Sequence, residues 1–327
     1  VYNLFAEEFS LKIILLHLPF LIFPILYANK PGFIDKRVFK NSVNVFQVSV
    51  IIHLCITLII YLLQNDWQKI FHISNENIPF FRDFVYHKDF VLIHPTYFSA
   101  FLLLSFTISS LKLVTIDIIK RDLFLHTFNV FFCSFFIFLL SSKVIILAYV
   151  ISLVTIIFSL YKKLNRQQFR AIIIIITIMF LGITYPFKSI IIKRFNEIRT
   201  EYDKPIDGLY HNSTNIRIAI IECSFQISSE APFFGYGNFI QKKLDLCYDQ
   251  KYESNFYKLS RYNTHNYYLN IYLYGGILFL LCYIFYLLFV YQQIKHSKIA
   301  LLFFFQMVII NFTENFFSRH FGVILFM

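Results

Sequence analysis

Eight apolar stretches, each about as long as a bilayer is thick, constrain the fold of this chain more than any other feature. A helix needs about 20 mostly apolar residues to cross the hydrocarbon core. Charged residues make up only 15% of the sequence, against about 25% in a typical soluble protein. The sequence therefore predicts an all-α integral membrane protein, a polytopic helix bundle. The predicted spans run near 11–28, 43–63, 95–116, 124–141, 144–160, 171–187, 267–292 and 299–317.

Lysine and arginine collect in every second connection, which sets the predicted orientation. They follow the first, third, fifth and seventh spans, and the positive-inside rule makes such connections cytoplasmic. The connections near 64–94, 141–143 and 188–266 then face outward. The net charge of +11 mostly reflects the inside connections, and no basic-aromatic pattern of nucleic-acid recognition occurs. The clusters comprise Lys30, Lys36, Arg37 and Lys40; Lys112, Lys120 and Arg121; Lys162, Lys163, Arg166 and Arg170; and Lys295 and Lys298.

We expect a single membrane domain with three parts. Residues 1–187 hold six spans and the outer loop near 64–94, residues 188–266 form a large outer loop, and residues 267–327 hold the C-terminal spans. The large loop carries 11 Lys and Arg against 9 Asp and Glu, so it is nearly neutral. Loops longer than about 15 residues are usually functional or disordered. Its Ile and Phe patterning predicts short helices lying over the membrane face.

The two ends of the chain bear on how much of the protein this sequence covers. Glu7 and Glu8 precede the first span, where a removable signal peptide would be basic, so we expect none. The chain begins with Val1 and ends at Met327 inside an apolar run. A fragment of a longer protein, with further spans, is therefore an open alternative.

Within the large loop, an amphipathic helix is predicted from Arg217 to Ile227, and Pro232 would end it. Gly235 and Gly237 then permit a tight turn or the close approach of a ligand to the backbone. Cys223 and Cys247 share this loop and could pair in an oxidising compartment. No Cys-x-x-Cys spacing or His/Cys cluster in the sequence suggests a metal site.

His265 lies where the large polar loop meets the seventh apolar span, within Thr264-His265-Asn266-Tyr267-Tyr268-Leu269. A histidine at a membrane rim can exchange protons with water on one side and face a lipid-borne substrate on the other. The alternative is an interfacial histidine beside a helix cap made by Thr264 or Asn266. A second rim histidine, His94, precedes Pro95, and that pair favours the start of a helix over catalysis.

The order of these motifs resembles that of the O-antigen ligase/polymerase family, from about residue 94 to the end. In that family an outer-loop arginine precedes a Pro-x-x-Gly-x-Gly turn and then a His-Asn-x-x-Leu motif followed by glycine. Here these are Arg217, Ala-Pro-Phe-Phe-Gly-Tyr-Gly-Asn-Phe ending at Phe239, and Thr-His-Asn-Tyr-Tyr-Leu heading a span that carries Gly275-Gly276. His94-Pro95-Thr96-Tyr97 and the closing residues Glu314 to Gly322 are similar to Bacteroidetes-type members.

The resemblance implies a membrane glycosyltransferase of the GT-C type at the periplasmic face of the bacterial inner membrane. It implies a glycan donor on undecaprenyl diphosphate, an acceptor hydroxyl on lipid A core or on another glycan, surrounding membrane lipids, no cofactor and no metal. His265 would act as the base, because a free histidine side chain has a pKa of about 6.5. Arg217 would bind the diphosphate, and Lys143 replaces the family's second arginine. The predicted site-supporting residues are Asn266, Gly235 and Gly237. Further candidates are His94 and Arg319, and the reserve arginines for the diphosphate are Arg194, Arg199 and Arg261.

Three functions stay open from the sequence. A ligase and a polymerase share one reaction and differ in acceptor, and the closing motif favours the ligase. A lipid-linked glycan transporter is the non-enzyme alternative. Transporters usually place charged groups at mid-membrane, whereas the predicted spans are nearly free of charge inside.

Overall fold

Helices account for nearly all of the regular structure in the computed structural model. The structure describes residues 18, 22, 36–74, 78–87, 93–113, 120–161, 165–201, 206, 214–231, 233–252, 256–257, 262–318 and 322. No strand occurs among these residues, which confirms the all-α prediction. The predicted span 11–28 lies almost wholly outside them.

Three short 3₁₀ turns lie outside the α-helices, at Trp67–Phe71, Gly237–Phe239 and Phe316–Ser318. In chain order the α-helices are α1 (Lys36–Gln64), α2 (Phe80–His87), α3 (Pro95–Leu113), α4 (Lys120–Leu140), α5 (Lys143–Tyr161), α6 (Arg166–Thr184), α7 (Lys188–Glu201), α8 (Asn215–Ser229), α9 (Ile240–Lys251), α10 (Tyr267–Ile294) and α11 (Lys298–Ile310).

Five helices among the described residues are long and apolar enough to cross a membrane, so the chain is a multi-pass membrane protein. They lie in α1, α3, α4, α5 and α10 and correspond to five predicted spans. The sixth predicted span lies mostly within α6, which is not one of these five. The last is shorter than predicted, because α11 has 13 residues and ends at Ile310. Polar residues follow at once, and the backbone turns there instead of continuing as a helix.

The fold divides into two compact units. The unit that contains residues 196–266 of the predicted large loop, here called the loop unit, comprises Val1–Asn29, Asn196–Ser297 and Met307–Met327. The other, here called the bundle unit, comprises Lys30–Phe195 and Lys298–Gln306. The predicted three-part organisation stays a prediction.

Helix α3 is central to the bundle unit, and its buried hydroxyls accept hydrogen bonds from amide side chains of three other helices. Such pairs hold apolar helices together in lipid, where burial of apolar surface cannot. The donor–acceptor distances are 2.7 Å for Gln47–Ser109, 2.9 Å for Asn129–Ser105, 2.7 Å for Asn129–Ser109 and 2.7 Å for Gln306–Thr107. Buried polar side chains therefore serve packing in this unit.

In the loop unit, α8 and α9 share a small core closed by a disulfide between Cys223 and Cys247. In the chain-entropy model a cross-link over 24 residues stabilises by about 3 kcal/mol. An ion pair lies beside it, with Lys251 Nζ 2.7 Å from Glu222 Oε2. The hydrogen bond from Lys251 holds the pKa of the Glu222 carboxyl below its ordinary value. The large loop thus has a folded core of its own.

Candidate functional site

The segment before α10 holds His265 in an unusual backbone conformation. Its φ is +43°, in the left-handed region that side chains other than glycine seldom adopt. Asn263 supports the turn, because its Oδ1 accepts from the His265 N–H at 3.0 Å. Asn266 is the helix cap, accepting from the Leu269 N–H at 3.0 Å. A strained backbone conformation persists only where the surrounding contacts hold it in place, and such residues are common at functional sites.

Hydrogen bonds from two directions fix this segment. On one side, the Tyr262 carbonyl accepts from Gln241 Nε2 at 3.2 Å and from the Tyr248 hydroxyl at 3.4 Å. On the other, the segment makes hydrogen bonds with the turn after α11. These include Asn315 Nδ2 to Thr264 Oγ1 at 3.1 Å, Asn266 Nδ2 to the Phe312 carbonyl at 3.1 Å, and Tyr267 N–H to the Asn311 carbonyl at 2.9 Å.

Glu314 joins the two residues that the sequence singled out for chemistry. Its Oε1 lies 2.9 Å from Arg217 Nη2, and its Oε2 lies 3.5 Å from His265 Nδ1. The Glu314 side chain is only 9% exposed, whereas Arg217 is 40% and His265 31% exposed. A buried carboxylate therefore connects an arginine and a histidine that both reach solvent.

His265 Nδ1 and Glu314 Oε2 are close enough for an ion pair, but their geometry is not that of a hydrogen bond. The Nδ1 atom is buried and makes no hydrogen bond with any residue that the structure describes. Catalytic hydrogen bonds are often long in a free enzyme and shorten when substrate binds. With Nδ1 directed to a carboxylate, the other ring nitrogen, Nε2, is the one left to take a proton from a substrate. A carboxylate beside the ring also favours the imidazolium that such a transfer creates.

The predicted glycine turn packs on α10. Gly235 and Gly237 have φ of +72° and +56°, and the Tyr236 N–H donates to the Leu273 carbonyl at 2.7 Å. Gly276 breaks the helical geometry of α10, with φ +69° and ψ −166°. A Cβ on Gly235 would lie 2.6 Å from the Gly276 nitrogen. The close approach that these glycines permit is therefore to the backbone of α10.

Replacing Gly276 by alanine should destabilise the loop unit by about 3 kcal/mol, because the backbone conformation is nearly restricted to glycine. The new Cβ would also lie 1.8 Å from the Phe233 carbonyl oxygen. Thermal unfolding in detergent measures the effect. The control is Gly182→Ala in α6, where no atom lies within 4 Å of an added Cβ. Equal midpoints for the two variants would contradict the packing described here.

The remaining predicted site residues belong to other elements or fall outside the described residues. Lys143 begins α5 in the bundle unit, after Ser141 with φ +46°. His94 Nδ1 accepts from the Thr96 N–H at 3.2 Å, the geometry of a helix start. Arg82, which the sequence did not single out, donates from Nη1 to the Leu140 carbonyl beside Ser141. Among the other arginines, Arg194 and Arg199 lie in α7, whereas Arg261 and Arg319 fall outside the described residues.

Glu314 is the site residue that sequence analysis missed. The signal was present, because an acidic side chain directly after an apolar run is costly and so suggests a role. In the sequence, Glu314 stands out only as the first residue of the closing motif. Within the described part of the chain, no group of three or more His, Cys, Asp and Glu side chains could hold a metal ion.

The fold and site define a multi-pass helical membrane protein in which a folded loop and the start of a long helix hold an Arg–Glu–His set. Residues 128–284 match the family model described as O-antigen ligase. This match, over just under half of the chain, confirms the resemblance of its motifs to those of the O-antigen ligase family. No curated protein and no solved structure matches. The family indicates membrane glycan processing of the ligase or polymerase type, with lipid-linked glycan substrates.

Proposed function

We propose that this protein transfers a glycan from undecaprenyl diphosphate to a sugar hydroxyl of lipid A core at the periplasmic face of the bacterial inner membrane. The observation that carries the proposal is the Glu314 carboxylate between Arg217 and His265. Transfer at an anomeric carbon needs a base for the acceptor and a cation for the leaving group. These two residues provide one of each.

In the proposed step, His265 Nε2 takes the proton of the acceptor hydroxyl. The acceptor oxygen then forms a bond to the anomeric carbon of the donor. The bond between that carbon and the phosphate oxygen breaks, and undecaprenyl diphosphate leaves with the electron pair. Glu314 stabilises the imidazolium through Nδ1, the role that a carboxylate has beside a catalytic histidine.

Arg217 is the proposed cation for the diphosphate. A guanidinium has five N–H donors in a planar fork, and Arg217 donates to Glu314 Oε1 from its Nη2 nitrogen. Its 40% exposure leaves room for phosphate oxygens. Because the arginine supplies the positive charge, the proposed reaction needs no metal or other cofactor. The role of Lys143 in binding the diphosphate stays a prediction, because this residue belongs to the bundle unit.

Arg217→Gln should lower kcat/KM for the lipid-diphosphate donor by about 10- to 100-fold, because a hydrogen bond to a charged group contributes about 1.5–3 kcal/mol. Arg217→Lys should retain part of the activity, since charge remains without the planar fork. Initial rates with varied donor measure both variants. The control is Arg166→Gln, an exposed arginine at the start of α6, which should leave kcat/KM unchanged. Unchanged kinetics in Arg217→Gln would remove this residue from the site.

The disulfide supports the proposed orientation. Disulfides persist in oxidising compartments such as the periplasm, and the Cys223–Cys247 pair belongs to the same unit as the Arg–Glu–His set. Lysine and arginine in the opposite connections independently predict the same side.

Purified protein tests the function directly with a synthetic undecaprenyl-diphosphate glycan and defined acceptors, with and without chelator. We expect transfer to lipid A core, release of undecaprenyl diphosphate, and equal rates with chelator. Elongation of the donor glycan in place of transfer to core would identify a polymerase. Movement of intact donor across a vesicle membrane, with no bond broken, would show a transporter and overturn the proposal.

A further inference from the structure

Two adjacent phenylalanines stand out on the surface of the loop unit. Phe233 and Phe234 are 59% and 58% exposed, and their rings pack edge to face against each other at 5.2 Å. They form the tip of the glycine turn. Ile221 and Phe225, one turn apart on α8, are also largely exposed. Exposed apolar side chains that lie close together usually mark a contact surface.

The backbone that carries this tip is attached to a membrane-spanning helix. The Tyr236 N–H donates to the Leu273 carbonyl, and the Phe233 carbonyl lies against Gly276. Gly276 lies nine residues beyond Tyr267, the first residue of α10. At 1.5 Å per residue this is about 14 Å along the helix. The tip is thus held well along a helix that is 28 residues long and apolar enough to span the bilayer.

The surface of α10 beyond this point is apolar and open to its surroundings. In the most apolar 18-residue stretch of α10, only 17% of the residues are buried within the protein. The large apolar side chains that are exposed after Gly276 include Ile277, Leu278, Phe279, Leu281, Ile284, Phe285, Leu288 and Phe289. In a membrane-spanning helix such side chains face lipid. The two phenylalanines lie beside the start of this lipid-facing surface, because the Phe233 carbonyl is in contact with Gly276.

We propose that the Phe233–Phe234 tip inserts into the bilayer and contacts lipid acyl chains, so that the outer loop is anchored in the leaflet that α10 enters at Tyr267. The partner is the hydrocarbon of the membrane itself. The glycines explain how this is possible, because Gly235 and Gly276 let the turn lie directly on the helix backbone. Tyr236 satisfies its own N–H on the Leu273 carbonyl, which spares that polar group the cost of exposure to lipid.

Tryptophan fluorescence can locate the tip, because Trp67 is the only tryptophan in the chain. In a Trp67→Phe background, Phe234→Trp and, separately, Phe233→Trp are reconstituted into vesicles whose acyl chains are brominated. Phe285→Trp on the lipid-facing surface of α10 is the positive control. Gln250→Trp, at an exposed position in the last turn of α9 among charged residues, is the aqueous control.

We expect brominated lipid to quench the tip tryptophans as strongly as Phe285→Trp, and aqueous iodide to quench only Gln250→Trp. Tip tryptophans quenched by iodide and not by lipid would place the tip in water and overturn the proposal. Protection from both quenchers would show that protein covers the tip, such as a second copy of the chain, and would equally overturn it. Using two tip positions keeps the result interpretable if one variant folds poorly.

Discussion

His265→Ala is expected to lower kcat for glycan transfer by about 10²- to 10⁴-fold, the range that general base catalysis contributes. The imidazole is the only group of the Arg–Glu–His set suited to take a proton from a hydroxyl near neutral pH. Transfer from synthetic lipid-diphosphate donor, normalised to the amount of inserted protein, measures the change.

His72→Ala is the matched control for this substitution. His72 is exposed, lies in the bundle unit after the 3₁₀ turn Trp67–Phe71, and is directed by its Nδ1 to the Gln68 carbonyl. Its replacement should leave kcat unchanged. If His265→Ala is inserted normally and keeps full transfer activity, His265 is only an interfacial residue beside the Asn266 cap.

Glu314→Gln should lower kcat by about 100-fold, although the two side chains have nearly the same shape. The change removes the charge that stabilises a protonated His265, and it also removes the ion-pair partner of Arg217. Steady-state transfer rates measure the loss. Glu314→Asp should recover part of the activity, since the charge returns on a shorter side chain.

Glu222→Gln separates a loss of function from a general loss of charge. Glu222 also belongs to the loop unit and also pairs with a cation, Lys251 at 2.7 Å, and its carboxylate accepts a hydrogen bond from the Tyr252 hydroxyl at 3.0 Å. Its replacement should leave the transfer rate unchanged. Equal losses in Glu222→Gln and Glu314→Gln would mean that both act through stability alone.

The sequence was sufficient for the membrane helices, because hydropathy and the length of apolar runs depend on local composition. It failed at the end of α11. The run from 299 to 317 is apolar on average, but Asn311 and Glu314 make hydrogen bonds and ion pairs that a straight helix would not allow. The partners of Asn311 and Glu314 lie about 45 to 100 positions away in the sequence, so a local sequence pattern cannot predict them.

The proximity of the candidate site residues could not be predicted for the same reason. Arg217 and His265 stood out because of their positions in short motifs, yet their proximity depends on how α8, α10 and the turn after α11 pack. Glu314, the residue that joins them, lies 97 positions from Arg217. The glycine turn shows the opposite case. Its conformation was predictable from Gly235 and Gly237, but its docking on the Gly276 kink required the fold.

Glu314 is proposed to act in catalysis through His265, and a double-mutant cycle on purified protein tests this coupling most directly. The cycle compares kcat for the wild type, His265→Ala, Glu314→Gln and the double variant. We predict that the double variant loses much less than the product of the two single losses, since a carboxylate that acts through an absent imidazole has little left to contribute. A double variant whose loss equals that product would show two independent residues and would contradict the account.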